Sequence, residues 1–395
     1  MQLSVIILNY NVRYFLEQCV LSVQNALETI DGEIIVIDNN SQDDSCEMMK
    51  KRFPNVKLIQ NKENLGFPKG NNIGVAQAQG EYICILNPDT VVAEDTFVKN
   101  LNFVTSSAVE KNNLGVVGCK LIDGAGNFLP ESKRGIPTPF VAFTKITGLY
   151  QFFPKSETFG KYYAQHLNEN ETGKVDILVG AFMFMKRDLY LEIGGFDENC
   201  FMYSDDIDLS YRILQKGKSN YYFHETTVIH YKGESTIKDE TYMKHFQEAM
   251  HFFYKKHFRV SVVFSLFMKT GIVFFSFVKM IQGRSSRNFG IEMLPQLYVL
   301  YSANEKLVDK LRLVLQKKIL FHDLKTEKMV ISSFVKNKEV VGIILDNEFI
   351  SFKECIAILE SSRNKRFTFK IIPKNAKFLI GSNISNERGE IIEIE

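Results

Sequence analysis

The chain has 395 residues, 45% hydrophobic and 24% charged, a composition that excludes wholesale disorder and, with this length, predicts two domains or one large domain with an appendage. A formal net charge of +2 makes no case for a nucleic-acid partner. Six scattered cysteines without a C-x-x-C pair support neither a zinc site nor a disulfide framework and fit a reducing cytosol.

The opening MQLSVIILNYN lacks a basic n-region and a long apolar h-region, so it reads as a buried strand and not as a secretion signal. From there β-rich runs, LSVIIL (3–8), EIIVID (33–38), VKLIQ (56–60) and EYICIL (81–86), alternate with segments of helical character. This is the βαβ rhythm of a mostly parallel sheet. Each run ends in a polar turn: NYN, DNNSQDD, NKENLGF and NPDT. All four turns are expected on one edge, where open α/β sheets bind ligands, and the pattern predicts a nucleotide-like one. G-x-G-x-x-G after the first strand and G-x-x-x-x-G-K-[ST] are both absent, which excludes the two commonest phosphate loops.

Residues 175–187, VDILVGAFMFMKR, read as one buried strand with Gly180 and Ala181 at its centre. Next comes CFMYSDDIDLSYR (200–212), which crowds Asp205, Asp206 and Asp208 into four positions. A helix is expected to begin at Asp206: Ile207, Tyr211 and Leu214 recur at i, i+4 and i+7, Asp208 pairs with Arg212, and Gly217 supplies the stop. Residues 260–281 are apolar but interrupted by Lys269 and Lys279, which reads as a membrane-interfacial helix with basic flanks or, alternatively, as an amphipathic helix packed on protein. After about residue 300 a small α/β module is expected, with strands at 339–345, 366–372 and 377–380. Its Gly381-Ser382-Asn383 turn reads as a ligand contact or as a plain turn. The expected division is 1–250, 251–300 and 301–395.

Asp89, behind Pro88 and a buried strand, either aims a carboxylate into the crevice or makes an Asx-type turn. Asp38, Asn39, the stretch NLGFPKGNN (64–72) and His230 give it company. Mg²⁺ or Mn²⁺, held partly by substrate phosphates, needs only one or two carboxylates, so an Asp and a His are sufficient protein ligands. Lys133 and Arg134 in ESKRGIPTP form either a solvated basic loop or a grip on a phosphate of donor or acceptor.

The ordered blocks SVIILNYN, IIVIDNNSQDDS, NLGFPKGNNIG, YICILNPDT, LVGAFMFMKRDLYLEIGGFDE, FMYSDDIDLSYR and VIHYKGEST span residues 3–236. In them the chain resembles the family-2 inverting glycosyltransferases of the GT-A fold, close to the rhamnosyltransferase-like branch of bacterial surface polysaccharide assembly. The resemblance implies a GT-A nucleotide-diphospho-sugar transferase fold with a mostly parallel central sheet. It implies that Asp38 reads the donor base, uracil or thymine being compatible, and that Asn9, Asn39, Asn87 and Asn64 to Lys69 line the donor pocket. Asp89 matches the last acid of the family's metal-binding D-x-D, whose first acid is Asn87 here, and His230 is the second protein ligand. The family's Glu-Asp pair is Asp205-Asp206, so Asp206 is the implied general base. Asp205 is one methylene shorter than the usual Glu, and Asp208 and Arg212 are implied orienters. The implied partners are a nucleoside diphosphate sugar, a lipid-linked or glycan acceptor and the inner face of the cytoplasmic membrane, with a homo-oligomer also compatible. A sugar-phosphate nucleotidyltransferase would instead show a Gly-rich basic loop after strand one, where ILNYNVRYF has none, and a nucleotide-sugar scaffold would have no use for Asp206.

Overall fold

The computed structural model describes residues 1–107, 109, 113–138, 140–141, 144, 160–232, 240–258, 294–326, 340–363, 366–382 and 389–394. The helix expected over 260–281 lies outside them, and none of the described helices is long and apolar enough to cross a membrane.

The first sheet contains β1 (Leu3–Asn9), β2 (Gly32–Asp38), β3 (Lys57–Gln60), β4 (Tyr82–Leu86), β5 (Thr90–Val91), β6 (Leu114–Ile122), β7 (Gly173–Val175), β8 (Phe182–Lys186) and β9 (Ser219–His230). Their order is β3-β2-β1-β4-β8-β6-β9-β5, with β7 beside β9. Strands β1 to β4, β6 and β9 share one direction, because β8 runs antiparallel to both β4 and β6. The sheet is therefore mostly parallel. In the β1–β2–β3 register Asn9 lies opposite Asp38 and Asp38 opposite Gln60, so the polar turns that follow share one edge.

All seven residues of β1 are buried because helices cover both faces. Alternation divides them. Leu3, Val5 and Ile7 pack with α1 (Arg13–Leu27), α2 (Ser45–Arg52) and α4 (Thr96–Thr105), while Ile6 and Leu8 face α3 (Gly66–Ala76), α5 (Arg187–Glu192) and α6 (Asp205–Gln215). The single strand expected over 175–187 is in fact β7 and β8 with a turn between them. The backbone of Gly180 and Ala181 is spent on neighbouring loops: Gly180 N–H donates to Asp206, and Ala181 C=O accepts from Asn87.

A further helix, α7 (Glu240–His257), leads to a second sheet of β10 (Leu297–Ser302), β11 (Lys318–Asp323), β12 (Val341–Asp346), β13 (Phe367–Ile372), β14 (Phe378–Gly381) and β15 (Glu390–Glu393). Their order is β11-β10-β12-β13-β14-β15, and α8 (Lys306–Leu315) and α9 (Phe352–Ser361) complete this α/β module. The two sheets share a core. Phe15 of α1, Val91, Ile229 and Tyr231 pack with Tyr301, Ile343 and Phe369 and with Phe352 of α9. Polar ties reinforce it: Glu94 accepts the Phe352 and Lys353 N–H groups at 2.8 Å each, satisfying the open end of α9. Lys120, buried, donates to Glu360 at 2.5 Å. Gly126 has φ +83°, and a Cβ there would stand 2.0 Å from the Leu359 carbonyl, so only glycine fits this contact.

Candidate active site

At the ends of β1 and β2, Asn9 Nδ2 donates to Asp38 Oδ1 at 2.8 Å and Ser41 N–H donates to Asp38 Oδ2 at 2.9 Å. Asp38 is thereby fixed, and both side chains are buried. Asn39 ties this edge to the next loop, donating to Asn64 Oδ1 at 3.0 Å and to the Gly66 carbonyl at 3.2 Å. Gly66 has φ +78°, and a Cβ would meet the Phe201 carbonyl at 2.7 Å, which locks the 64–69 loop against the stretch leading to Asp206. Lys69 is exposed on α3. Asn9, Asp38, Asn39 and Asn64 are thus placed along one edge, whereas Asn87 sits by His230 and Lys69 is exposed on α3.

Asp89 and His230 meet although 141 positions separate them in sequence, because β5 pairs with the end of β9, setting Thr90 opposite His230. Asp89 Oδ1 lies 3.4 Å from His230 Nε2, which is also 3.4 Å from Asn87 Nδ2. Adjacent ligands of an octahedral Mg²⁺-sized ion stand about 3 Å apart, so the pair fits a shared cation. The buried Asn87 Oδ1 and His230 Nδ1 have no hydrogen-bond partner, an expensive arrangement that a bound polar group would relieve. Among the described residues no three His, Cys, Asp or Glu side chains form a metal cage, so any ion here would take further ligands from substrate.

α6 opens at Asp205, one residue before the Asp206 start expected from the sequence. Burial, and then the charge of Asp206, push the Asp205 carboxyl up. Asp206 Oδ2 accepts from Arg134 Nη2 at 2.6 Å and from Gly180 N–H at 3.1 Å. Burial opposes the charge on Arg134, but Asp206 together with Tyr162 and Glu131 outweighs it and raises the guanidinium's pKa. Tyr203, two residues before the pair, has φ +76°, a left-handed backbone that is strained for an aromatic residue and is characteristic of functional turns.

Asp208 is fully buried. It meets Arg212 Nε at 2.7 Å, Lys256 Nζ at 2.8 Å and His257 Nε2 at 2.6 Å. Burial raises its carboxyl pKa, yet Lys256, Arg212 and His257 together outweigh burial and hold it low. A helix-start acid placed only for the macrodipole would not need Arg212, Lys256 and His257 gathered around it. Arg212 also donates to the Ile193 and Gly195 carbonyls at 2.6 Å each, anchoring α6 to the preceding turn.

Lys133 does not grip a phosphate. Its Nζ is buried among the carbonyls of Tyr163, Ala164 and Leu167 at 3.3, 3.0 and 2.6 Å, and burial lowers its pKa to about 8. Sequence reasoning missed the Arg134–Asp206 pair, the joint hold of Gly180 and Ala181 on both halves of the site, and the Lys256–His257 clamp. All three join residues far apart in sequence, and no local spacing signals them.

The family model described as Glycosyl transferase family 2 matches residues 4–194. Over residues 4–194, just under half of its length, the chain is similar to glycosyl transferase family 2, and with the relatives that follow this marks it as a glycosyltransferase. It is 27% identical over 248 residues to the N-acetylglucosaminyl-diphospho-decaprenol L-rhamnosyltransferase of Mycobacterium tuberculosis, covering 60% of this chain and 78% of that protein. It is 34% identical over 143 residues to the GalNAc(5)-diNAcBac-PP-undecaprenol beta-1,3-glucosyltransferase of Campylobacter jejuni, covering 34% of this chain and 43% of that protein. A solved mannosyltransferase from Pyrobaculum calidifontis, in complex with GDP-Man and Mn²⁺, aligns with TM-score 0.43 and 18% identity over 63% of this chain and 64% of that one. The family match and the mostly parallel sheet bear out the GT-A reading of the sequence.

Proposed function

We propose that the protein transfers a sugar, with inversion, from a nucleoside diphosphate sugar to a hydroxyl of a lipid-linked acceptor in bacterial cell-surface glycan synthesis. The observation that carries this is the single turn holding both halves of the reaction: Ala181 C=O fixes Asn87, beside Asp89 and His230, while the adjacent Gly180 N–H fixes Asp206. Asp206 and the loop that carries Asn87 and Asp89 are thereby held by adjacent residues of one turn.

Asp38, held by Asn9 and Ser41, reads the donor base, and Asn64 to Lys69 flank the nucleotide. Asp206 accepts the acceptor hydroxyl's proton as that oxygen attacks the anomeric carbon from the face opposite the nucleotide, which inverts the centre without a covalent enzyme intermediate. Arg134 and Gly180 orient the Asp206 carboxylate from one side. Asp89 and His230 would hold Mg²⁺ or Mn²⁺, which supplies Lewis-acid stabilisation of the departing diphosphate. The acceptor chemistry is suggested by the diphospho-decaprenol and PP-undecaprenol substrates in the relatives' names. Action at the inner face of the cytoplasmic membrane follows from such an acceptor.

Thermal unfolding with UDP-, dTDP- and GDP-sugars, with and without Mn²⁺, tests this reading. A ligand at ~100 times its dissociation constant stabilises the fold by about 2.7 kcal/mol. One nucleotide class is expected to stabilise the protein in a metal-dependent way that Asp89→Ala abolishes; no shift with any donor would refute the reading.

A further inference from the structure

Beside Arg134 lies a cavity of about 380 Å³, within the size range of ligand pockets. Arg134, Lys161, His166 and Lys174 line it, with Asp176 as the single carboxylate and Asn220 as a further polar wall. Asp176 is partly spent, accepting from the Ile136 N–H at 3.1 Å and lying 3.6 Å from Lys161 Nζ. The lining is therefore cationic on balance. Its walls are preformed: Gly135 N–H donates to the Tyr162 carbonyl at 3.2 Å, a Cβ on Gly135 would stand 2.3 Å from the Lys161 carbonyl, and Lys133 clasps the three carbonyls beyond. Arg134 uses Nη2 for Asp206 and for the Leu178 carbonyl at 3.3 Å, and among the described residues its Nη1 makes no hydrogen bond, so the guanidinium keeps donor capacity that Asp206 does not use.

We propose that this cavity is an anion subsite for a phosphate or diphosphate group, with Arg134 as its link to Asp206. The inference rests on the transferase reading above, since an acceptor whose hydroxyl reaches Asp206 would carry its phosphates within reach of Arg134. Lys161 and Lys174 supply charge, and Arg134 supplies directed donors on an oxyanion.

The test is calorimetric titration of the full chain with geranyl diphosphate and with inorganic diphosphate, metal-free in EDTA. Native protein, Asp89→Ala and the double variant Lys161→Ala/Lys174→Ala are compared. Both lysines are at the surface, so the double variant is expected to fold. Diphosphate affinity should fall by about tenfold or more in the double variant and hold in Asp89→Ala. Tighter binding of the prenyl compound identifies a lipid-linked source and equal binding a free polyanion; either outcome supports the subsite. No binding, binding unchanged in the double variant, or binding lost in Asp89→Ala overturns it. The nucleotide-sugar panel scores the donor pocket separately, so failure of the cavity alone is distinguishable from failure of the reading beneath it.

Discussion

At Asp206 one carboxylate oxygen serves Arg134 and Gly180 together, and Arg134 has no other carboxylate partner among the described ion pairs. Replacing Arg134 by Met leaves a largely buried acid without its cation. A loss of about 2 kcal/mol or more is expected in denaturant unfolding, with a larger fractional loss in turnover than in donor affinity. Asp205 gives a pH signature. Its folded pKa is raised above the ordinary aspartate value, so the native state favours the protonated form. The stability this contributes is complete below the unfolded value of about 4 and is lost as pH rises through the folded value. Asp205→Asn should therefore gain thermal stability relative to the native chain as pH climbs from about 5 to about 9. A difference in melting temperature that stays flat over that range would contradict the burial argument. These carboxylates were legible in the sequence as a crowded triplet, whereas their division of labour was not. It depends on Arg134 approaching Asp206 from 72 positions away.

Among the elements, α6 was the most readable, because its signals are local: acids in the first turn, an i,i+4 pair and Gly217 at φ +76° beyond its end. The parallel strands were readable too, since helices on both faces leave them continuously apolar. The split of 175–187 was not, because Val179, Ala181 and Phe182 look like strand residues whether their backbone joins a ladder or serves a loop. Nor were β10 and β11 singled out, since LYVLYS and KILFHD lie between polar stretches without a turn signature. The clamp on Asp208 makes a prediction at this scale. Asp208→Asn abandons Arg212, Lys256 and His257 around a buried position and should cost about 3 kcal/mol in denaturant unfolding. An effect below about 0.5 kcal/mol, the size of a surface change, would mean the clamp does not hold α6.

For the whole molecule, the C-terminal sheet looked from sequence like an appendage, and its packing makes it a buttress. Val91, Ile229 and Tyr231, neighbours of Asp89 and His230, have their apolar cover in that sheet. Apolar contacts of this kind across two distant segments carry no sequence signal of their pairing. Removing residues 294–395 should expose this core and abolish donor-induced stabilisation. Because such a truncation can simply fail to fold, Glu94→Ala is the milder check. It strips two N–H partners from α9 and should cost about 1–2 kcal/mol. A truncated chain with unaltered melting and donor response would refute the buttress. The proposed mechanism turns on Asp206 as the base of the sugar transfer. The most direct measurement is turnover by Asp206→Asn with the donor identified by the unfolding panel, at matched donor occupancy. A loss of about 10²- to 10⁴-fold with donor affinity preserved is expected; turnover within about threefold of the native enzyme, well short of a general base's contribution, would contradict that role for Asp206.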